Sequence, residues 1–91
     1  MNGTTLKELF EALTERFPKA WFKEGGDFAN GYETSIWTGE GSYIGDEQMF
    51  DYYAMGNKYE FGAHITLRNF VEKRGYYVEC YDAGTYFIYP Q

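Results

Sequence analysis

The sequence predicts an α+β fold in which an antiparallel sheet of four to six strands has two helices packed on one face. Two segments space their apolar residues as on one side of a helix, one near the start of the chain and one in its last third. Each of these segments is followed by residues that indicate two strands, so the layout helix–strand–strand occurs twice. A chain of 91 residues has room for one hydrophobic core, so we expect residues 1–91 to form a single domain.

The first helix is predicted over about residues 5–17, in the segment TTLKELFEALTERFP. Thr5, followed three residues later by Glu8, matches a capping box, in which hydroxyl and carboxylate each accept a hydrogen bond from a free amide at the helix start. Pro18 ends the helix because it disfavours helical backbone geometry at Phe17. The apolar residues of this helix share one face: Leu6, Leu9, Phe10, Leu13 and Phe17.

Two strands and a turn are predicted next. The segment KAWFKE indicates a strand and GGDFANG a loop, in which Asn30-Gly31 is a strong turn signal because both residues tolerate positive φ. The segment YETSIWT alternates with period two, which predicts a strand with Ile36 on one face and Trp37 on the other. The segment GEG ends this strand, and SYI is a candidate third strand. In the strand predicted over YETSIWT, one face would hold Tyr32, Thr34 and Ile36, and the other would hold Glu33, Ser35 and Trp37.

The segment GDEQMFDYYAMGN, residues 45–57, is compatible with more than one structure. Asp46 could cap a short helix that includes Phe50 and Tyr53, or residues 50–55 could form an extended edge. Loop and strand are favoured, because three of the six residues from 50 to 55 have rings and helix propensity is poor there.

The last third of the chain is predicted to form a helix and a hairpin. In TLRNFVEKRG, Thr66 would cap the helix and Gly75 would end it after a last turn rich in cations. The alternation in RGYYVECYDAGTYFIYP, with its turn residues DAG, predicts a β-hairpin over 76–89. One hairpin face would pack against the helices, and the other would present tyrosines beside Glu79 and Asp82 to solvent or to a partner. The inward helix residues would be Leu67, Phe70 and Val71, and the cations of the last turn would be Lys73 and Arg74.

The net charge of −6 comes from the middle of the chain. Residues 24–57 contain seven acids and no Lys or Arg, whereas the rest has seven acids and eight bases, a balance of +1. A segment of one sign attracts basic partners and repels phosphates, so DNA, RNA and anionic membranes are poor direct ligands. The seven acids are Glu24, Asp27, Glu33, Glu40, Asp46, Glu47 and Asp51.

The sequence also indicates where the protein acts. It begins without the basic start and apolar run of a signal peptide, and it contains no apolar stretch of the length that a membrane span needs. The single cysteine, Cys80, cannot form an internal disulfide. We therefore expect a soluble, cytoplasmic protein.

No catalytic, metal or cofactor site is expected. His64, the only histidine, has no recognisable nucleophile beside it and is interpreted as a surface or capping residue. Cys80 lies in a predicted strand among acids that disfavour the reactive thiolate, which favours a structural role. Asp46, Glu47 and Asp51 could hold a hard cation, but the spacing of a Ca²⁺ loop is missing. The glycines lack phosphate-binding patterns and are interpreted as turn residues.

Residues 45–57 combine carboxylates with aromatic rings, and this pattern predicts a protein-binding surface. Carboxylates would meet Lys or Arg of a partner, while rings supply apolar anchor area. Acids spaced along a compact surface can also imitate the phosphates of a nucleic acid. The predicted partner-binding residues are Asp27, Glu33, Glu40, Asp46, Glu47 and Asp51 for charge, with Tyr52 and Tyr53 as anchors.

In size, acidity and aromatic content the chain resembles phage- and plasmid-borne inhibitors of host nucleases, such as anti-CRISPR and antirestriction proteins. The resemblance covers composition, and it implies a non-enzymatic inhibitor that engages the basic, nucleic-acid-binding surface of a partner protein. Other interpretations stay open. Residues 45–57 could be a solvated loop with a few core anchors, or the chain could be an assembly module that pairs through an exposed hairpin edge. It could also be a small enzyme or ligand binder that uses Asp46, Glu47, Asp51 or His64.

Overall fold

The computed structural model describes residues 4–54 and 56–91, which form two helices, a four-stranded sheet and two short strand pairs. The predicted fold class is confirmed, as is the layout of a helix followed by two strands at each end of the chain. Neither helix in these two ranges is long and apolar enough to cross a membrane. In chain order the elements are α1 (Leu6–Arg16), β1 (Lys23–Glu24), a single 3-10 turn (Gly25–Asp27), β2 (Ile36–Gly39), β3 (Tyr43–Ile44), β4 (Glu47–Gln48), β5 (Tyr59–Glu60), β6 (Ala63–His64), α2 (Ile65–Glu72), β7 (Tyr76–Asp82) and β8 (Thr85–Pro90).

The main sheet has the strand order β1–β2–β8–β7, and every neighbouring pair is antiparallel. Ile88 of β8 lies opposite Ile36 of β2 on one side and opposite Val78 of β7 on the other. The last strand is therefore central, and β7 and the two-residue β1 form the edges. The segment SYI pairs with β4 instead of joining this sheet, which explains why the sheet has only four strands.

Helix α1 begins with the capping box that the sequence predicts. The amide of Glu8 donates to Oγ1 of Thr5 at 3.1 Å, and the amide of Thr5 donates to Oε1 of Glu8 at 2.9 Å. Two amides at the helix start are thereby satisfied, and loss of such a cap costs about 1 kcal/mol. The helix ends at Arg16 with Phe17 as its C-cap, so the predicted range of 5–17 included both caps.

The hydrophobic core lies between the helices and one face of the sheet. Leu9 and Leu13 of α1 and Leu67 and Val71 of α2 are fully buried, and burial of each such side chain contributes about 1.5–3 kcal/mol. Both helices therefore pack on the same sheet face, as predicted. The core residues outside the helices are Phe17, Ile36, Met49, Phe50, Ala63, Tyr76, Val78, Tyr86 and Ile88.

The opposite sheet face is covered by the segment between β1 and β2, which the sequence did not indicate. The ring of Phe28 packs edge-to-face on Phe87 and Trp37, with centroids 5.0 and 5.2 Å apart. Tyr32 stacks on Phe87 at 4.7 Å, and Phe87 is only 1% exposed. Phe87 on this hairpin face is thus covered. Of the tyrosines expected to meet solvent or a partner there, Tyr81 is exposed, whereas Tyr77 and Tyr89 are half-buried.

A tight turn before β2 accounts for this cover. Residues 32–35 alternate like a strand, but the amide and the hydroxyl of Ser35 both donate to the carbonyl of Tyr32, at 3.0 and 2.7 Å. The strand begins only at Ile36, and Tyr32 packs on the face of Trp37, contrary to the predicted alternation. Ring burial outweighs the weak strand preference of a few alternating residues.

Helix α2 is capped by His64, two residues before the predicted cap at Thr66. Nδ1 of His64 accepts a hydrogen bond from the amide of Thr66 at 3.1 Å. The helix ends at Glu72, so the prediction that Lys73 and Arg74 lie in its last turn is wrong. Arg74 nonetheless donates to a carbonyl of that turn at 2.9 Å, and Gly75 follows with a φ of 87°.

Residues 45–57 contain no helix in the part that the structure describes. Strand β4 and an isolated bridge between Phe50 and Ala63 are its extended parts, and residues 52–53 lie in a turn. The loop-and-strand interpretation is therefore confirmed, and a helix capped by Asp46 is wrong.

Two predicted strands are shorter than expected. The segment KAWFKE contributes only Lys23–Glu24, as β1. The extended edge predicted over 50–55 is limited to the bridge of Phe50, and Met55, its last residue, lies outside the described residues.

Candidate functional site

Most of the exposed large apolar side chains gather near the turn between β7 and β8. Among the described residues, the side chains of this kind are Tyr43, Tyr52, Tyr53, Phe61, Ile65 and Tyr81. Four of them line two adjoining depressions beside the turn, together with three carboxylates. A contiguous exposed patch of this kind indicates an interaction site more strongly than scattered apolar residues do. We call this set the tip surface: Glu40, Asp51, Tyr52, Tyr53, Phe61, Tyr81 and Asp82.

The two depressions have volumes of about 600 and about 170 Å³, and Tyr52 lines both of them. Among the described residues, no Lys or Arg lines either depression, whereas three carboxylates do. The larger is lined by Tyr52, Ala54, Phe61, Gly62, Cys80, Tyr81 and Asp82. The smaller is lined by Glu40, Gln48, Phe50, Asp51, Tyr52, Tyr53 and Ala83.

Phe61 occupies an unfavourable backbone position at the rim of the larger depression. With Gly62 it forms the two-residue link between β5 and β6, and the φ angles of 53° and 86° have the signs of a type I′ turn. Of the described residues other than glycine, only Phe61 has positive φ, which costs about 1–2 kcal/mol for a residue with a Cβ. Its ring is 80% exposed. The backbone conformation at Phe61 therefore disfavours folding, and such an outlier points to a functional role.

Tyr52 and Tyr53 are positioned by a hydrogen-bonded turn that Asp51 begins. Oδ1 of Asp51 accepts from the amide of Tyr53 at 3.2 Å, and its carbonyl accepts from the amide of Ala54 at 3.1 Å. The amide of Asp51 donates to the carbonyl of Gly62 at 2.8 Å, which ties this turn to the turn of Phe61. The two tyrosine rings meet edge-to-face with centroids 5.0 Å apart.

Glu40 and Asp82 are held at the tip of the β7–β8 hairpin. The amide of Glu40 donates to the carbonyl of Gly84 at 3.1 Å, and Oδ1 of Asp82 accepts from the amide of Gly84 at 3.0 Å. A Cβ at Gly84 would overlap the Glu40 carboxylate, and one at Gly39 would overlap the Gly84 carbonyl. Glycine at both positions therefore allows the Glu40 turn to pack on the hairpin tip and brings the two carboxylates to one side.

Tyr86 lies beneath the larger depression, fully buried, with its ring stacked on Phe50 at a centroid distance of 4.1 Å. A Cβ at Gly62 would overlap the Tyr86 hydroxyl. This hydroxyl has no hydrogen-bond partner within the described residues, and the nearby Cys80 thiol donates to the carbonyl of Asp82 at 3.2 Å. Burial, reinforced by the nearby Cys80, raises the pKa of Tyr86, so the hydroxyl stays protonated.

The structure brings together half of the partner-binding residues that the sequence predicts. Glu40, Asp51, Tyr52 and Tyr53 belong to the tip surface. The other four lie elsewhere: Asp27 is exposed in the 3-10 turn, Glu33 lines a separate depression beside α1, Asp46 is exposed in the β3–β4 turn, and Glu47 is paired. A role in binding stays a prediction for all eight.

Glu47 already has two partners within the chain. Its carboxylate forms an ion pair with Lys58 and lies 2.8 Å from Nε2 of His64. The hydrogen bond from Lys58, and after it the one from His64, lowers the pKa of Glu47. Nδ1 of His64 accepts from the backbone, so the neutral ring has its proton on Nε2 and donates it to Glu47. The charge of Glu47 is therefore largely neutralised, and we leave it out of the tip surface.

The carboxylates considered for metal binding do not come together, and His64 is hydrogen-bonded within the chain. No three His, Cys, Asp or Glu side chains among the described residues lie close enough to hold a metal ion, so Asp46, Glu47 and Asp51 do not form such a set. Both ring nitrogens of His64 are engaged in the cap and in the contact with Glu47.

The predicted partner-binding residues did not include Phe61, Tyr81 and Asp82 of the tip surface, although the sequence did indicate that the hairpin face beside Asp82 meets solvent or a partner. The pair Phe61-Gly62 lies between two short extended segments, and a glycine at the second position of such a pair is a sequence signal for a hairpin turn. Tyr81 and Asp82 lie outside the acidic middle of the chain, and only the fold places them beside it.

Comparisons of this chain with protein-family models, with curated proteins and with solved structures gave no match.

Proposed function

We propose that the protein is a non-enzymatic binding module that inhibits a partner by occupying its basic, nucleic-acid-binding surface through the tip surface. The observation that supports this proposal is the concentration of exposed rings and carboxylates around two depressions that, among the described residues, no Lys or Arg lines. This combination suits a protein surface rich in Lys and Arg, and it disfavours direct binding of phosphates.

Rings and carboxylates contribute differently to such binding. Tyr53 and Phe61, each 80% exposed, are large anchors that would be desolvated against a partner, and aromatic anchors dominate the binding energy of many interfaces. The carboxylates of Glu40, Asp51 and Asp82 would steer association with a cationic groove and set its orientation. These three carboxylates lie apart from Asp27 and Glu33. This separation favours one compact contact with the partner over an extended row of carboxylates that imitates the phosphates of a nucleic acid.

The proposal is tested by capture from a cell lysate with two variants that lose the same charge. The tip variant is Glu40→Gln, Asp51→Asn and Asp82→Asn, in which the amides keep an acceptor for the local backbone hydrogen bonds. The control variant is Asp27→Asn, Glu33→Gln and Asp46→Asn. We expect wild type and control to capture the same nucleic-acid-binding protein, added duplex DNA or RNA to release it, and the tip variant to lose it. Retention by the tip variant, or a captured protein that nucleic acid does not release, would contradict the proposal.

A second candidate function is assembly through β7, which has seven residues and lies at the edge of the sheet. An edge strand offers unpaired backbone groups to another strand. A dimer that persists at high salt in light scattering would favour this function, whereas a monomer at all concentrations would remove it.

A further inference from the structure

We propose that the larger depression of the tip surface receives an arginine side chain of the partner. This inference rests on the proposed function and names the group that the surface recognises. Two exposed aromatic residues from separate segments and one carboxylate line the depression: Tyr52, Phe61 and Asp82. Tyr81 also borders it, but its ring packs on Phe28 and Phe87 on the outer face of the sheet.

The rings are available to a ligand. Phe61 is 80% exposed and Tyr52 52%, so both offer surface to a ligand. A cation beside the face of an aromatic ring is attracted by the negative charge of that face, more strongly when water is displaced. A volume of about 600 Å³ leaves room for a guanidinium group together with its aliphatic stem.

Asp82 supplies the opposite charge at this depression. Oδ1 accepts from the amide of Gly84, and within the described residues no Lys or Arg forms an ion pair with the carboxylate. A guanidinium group presents its donors as a planar fork that matches a carboxylate and can stack on a ring at the same time. Lysine has a compact charge without this fork, so arginine fits the ring and carboxylate arrangement better.

The chain itself contains contacts of this type. The guanidinium carbon of Arg74 lies 3.8 Å from the ring centroid of Phe70, and that of Arg68 lies 5.7 Å from the ring centroid of Phe61. Arg68 is engaged by Glu60 and Glu72, so its charge is balanced locally. The Phe61 ring therefore already has a guanidinium group as a neighbour, and the depression offers a site for a second one.

The test is an NMR titration of the ¹⁵N-labelled protein with three small probes: acetyl-arginine amide, acetyl-lysine amide and acetyl-citrulline amide. Citrulline has nearly the shape of arginine without its charge. We expect the arginine probe to shift the amides of Gly62, Tyr81 and Gly84, and to bind about tenfold or more tightly than citrulline, as a desolvated cation–ring contact with a carboxylate implies. Lysine should bind more weakly than arginine.

Variants locate the site. Phe61→Ala removes one wall and should weaken arginine binding about fivefold or more, and Asp82→Asn should bring it close to that of citrulline. Tyr43→Ala is the matched control, an exposed ring outside both depressions, and should leave arginine binding unchanged. Equal binding of arginine and citrulline, or shifts unaffected by Phe61→Ala and Asp82→Asn, would overturn the proposal.

The outcome is separable from that of the proposed function. If arginine does not bind but the tip variant still loses the captured partner, the arginine site is wrong and the binding function stands. If arginine binds at the depression but the tip variant retains the partner, the arginine site stands and the proposed function is wrong.

Discussion

Replacing Phe61 by asparagine should stabilise the protein while removing an aromatic residue that is 80% exposed. Phe61 has a φ of 53°, a conformation that costs a residue with a Cβ about 1–2 kcal/mol and that asparagine tolerates well at this position of a type I′ turn. The substitution also removes the contact between this ring and Arg68, worth about 0.5–1 kcal/mol at an exposed site. We therefore expect a net stabilisation of about 0.5–1 kcal/mol.

Phe61→Ala separates the two contributions. Alanine lacks the ring but keeps the strained backbone, so this variant should lose about 0.5–1 kcal/mol relative to wild type. Urea unfolding monitored by circular dichroism gives the free energies, and the asparagine variant should melt about 2–8 °C higher than wild type. If the asparagine variant is no more stable than the alanine variant, the backbone at Phe61 is not strained and its interpretation as a functional outlier fails.

Three further substitutions test the packing and the charges. Gly62→Ala should destabilise by about 2–5 kcal/mol, because its φ of 86° is strained for a residue with a Cβ and because this Cβ would overlap the Tyr86 hydroxyl; unchanged urea unfolding would contradict both the turn and the packing. Phe28→Ala should cost about 2–3 kcal/mol and raise the exposure of tryptophan, seen as a red-shifted fluorescence spectrum, because Phe28 covers the second sheet face; an unshifted spectrum would contradict that cover. Glu47→Gln should flatten the pH dependence of stability in acid. The pKa of Glu47 is lowered by Lys58, so ionised Glu47 contributes to the free energy of unfolding above the ordinary pKa of 4.5. This contribution is lost as the pH falls through the pKa that Glu47 has in the folded protein. If the free energies of unfolding of wild type and variant change in parallel below pH 4.5, this reasoning is refuted.

Local signals in the sequence predicted the helices and the last hairpin. The capping box of Thr5 and Glu8 is contained within four residues, and the alternation over 76–89 is long enough to be unambiguous. Signals that depend on another segment were missed. Residues 32–35 alternate as a strand does, but Tyr32 packs on Phe87 of a distant strand, and the segment covers the outer face of the sheet.

The candidate site was less predictable than the fold. The acidic middle of the chain contains Glu40, Asp51, Tyr52 and Tyr53, and composition was enough to find them. Ion pairing is not visible in composition, because the partners of Glu47 come from residues outside that acidic segment. The strain at Phe61 is likewise a property of backbone angles that no residue count reveals.

The salt dependence of partner binding tests the account most directly. The dissociation constant of the captured partner is measured between low and high ionic strength for wild type, for the tip variant and for the charge-matched control. The account predicts that affinity falls with salt for wild type and control alike, and that the tip variant binds weakly with a much shallower dependence. Equal affinity and equal salt dependence of the tip and control variants would show that the tip surface does not recognise the partner.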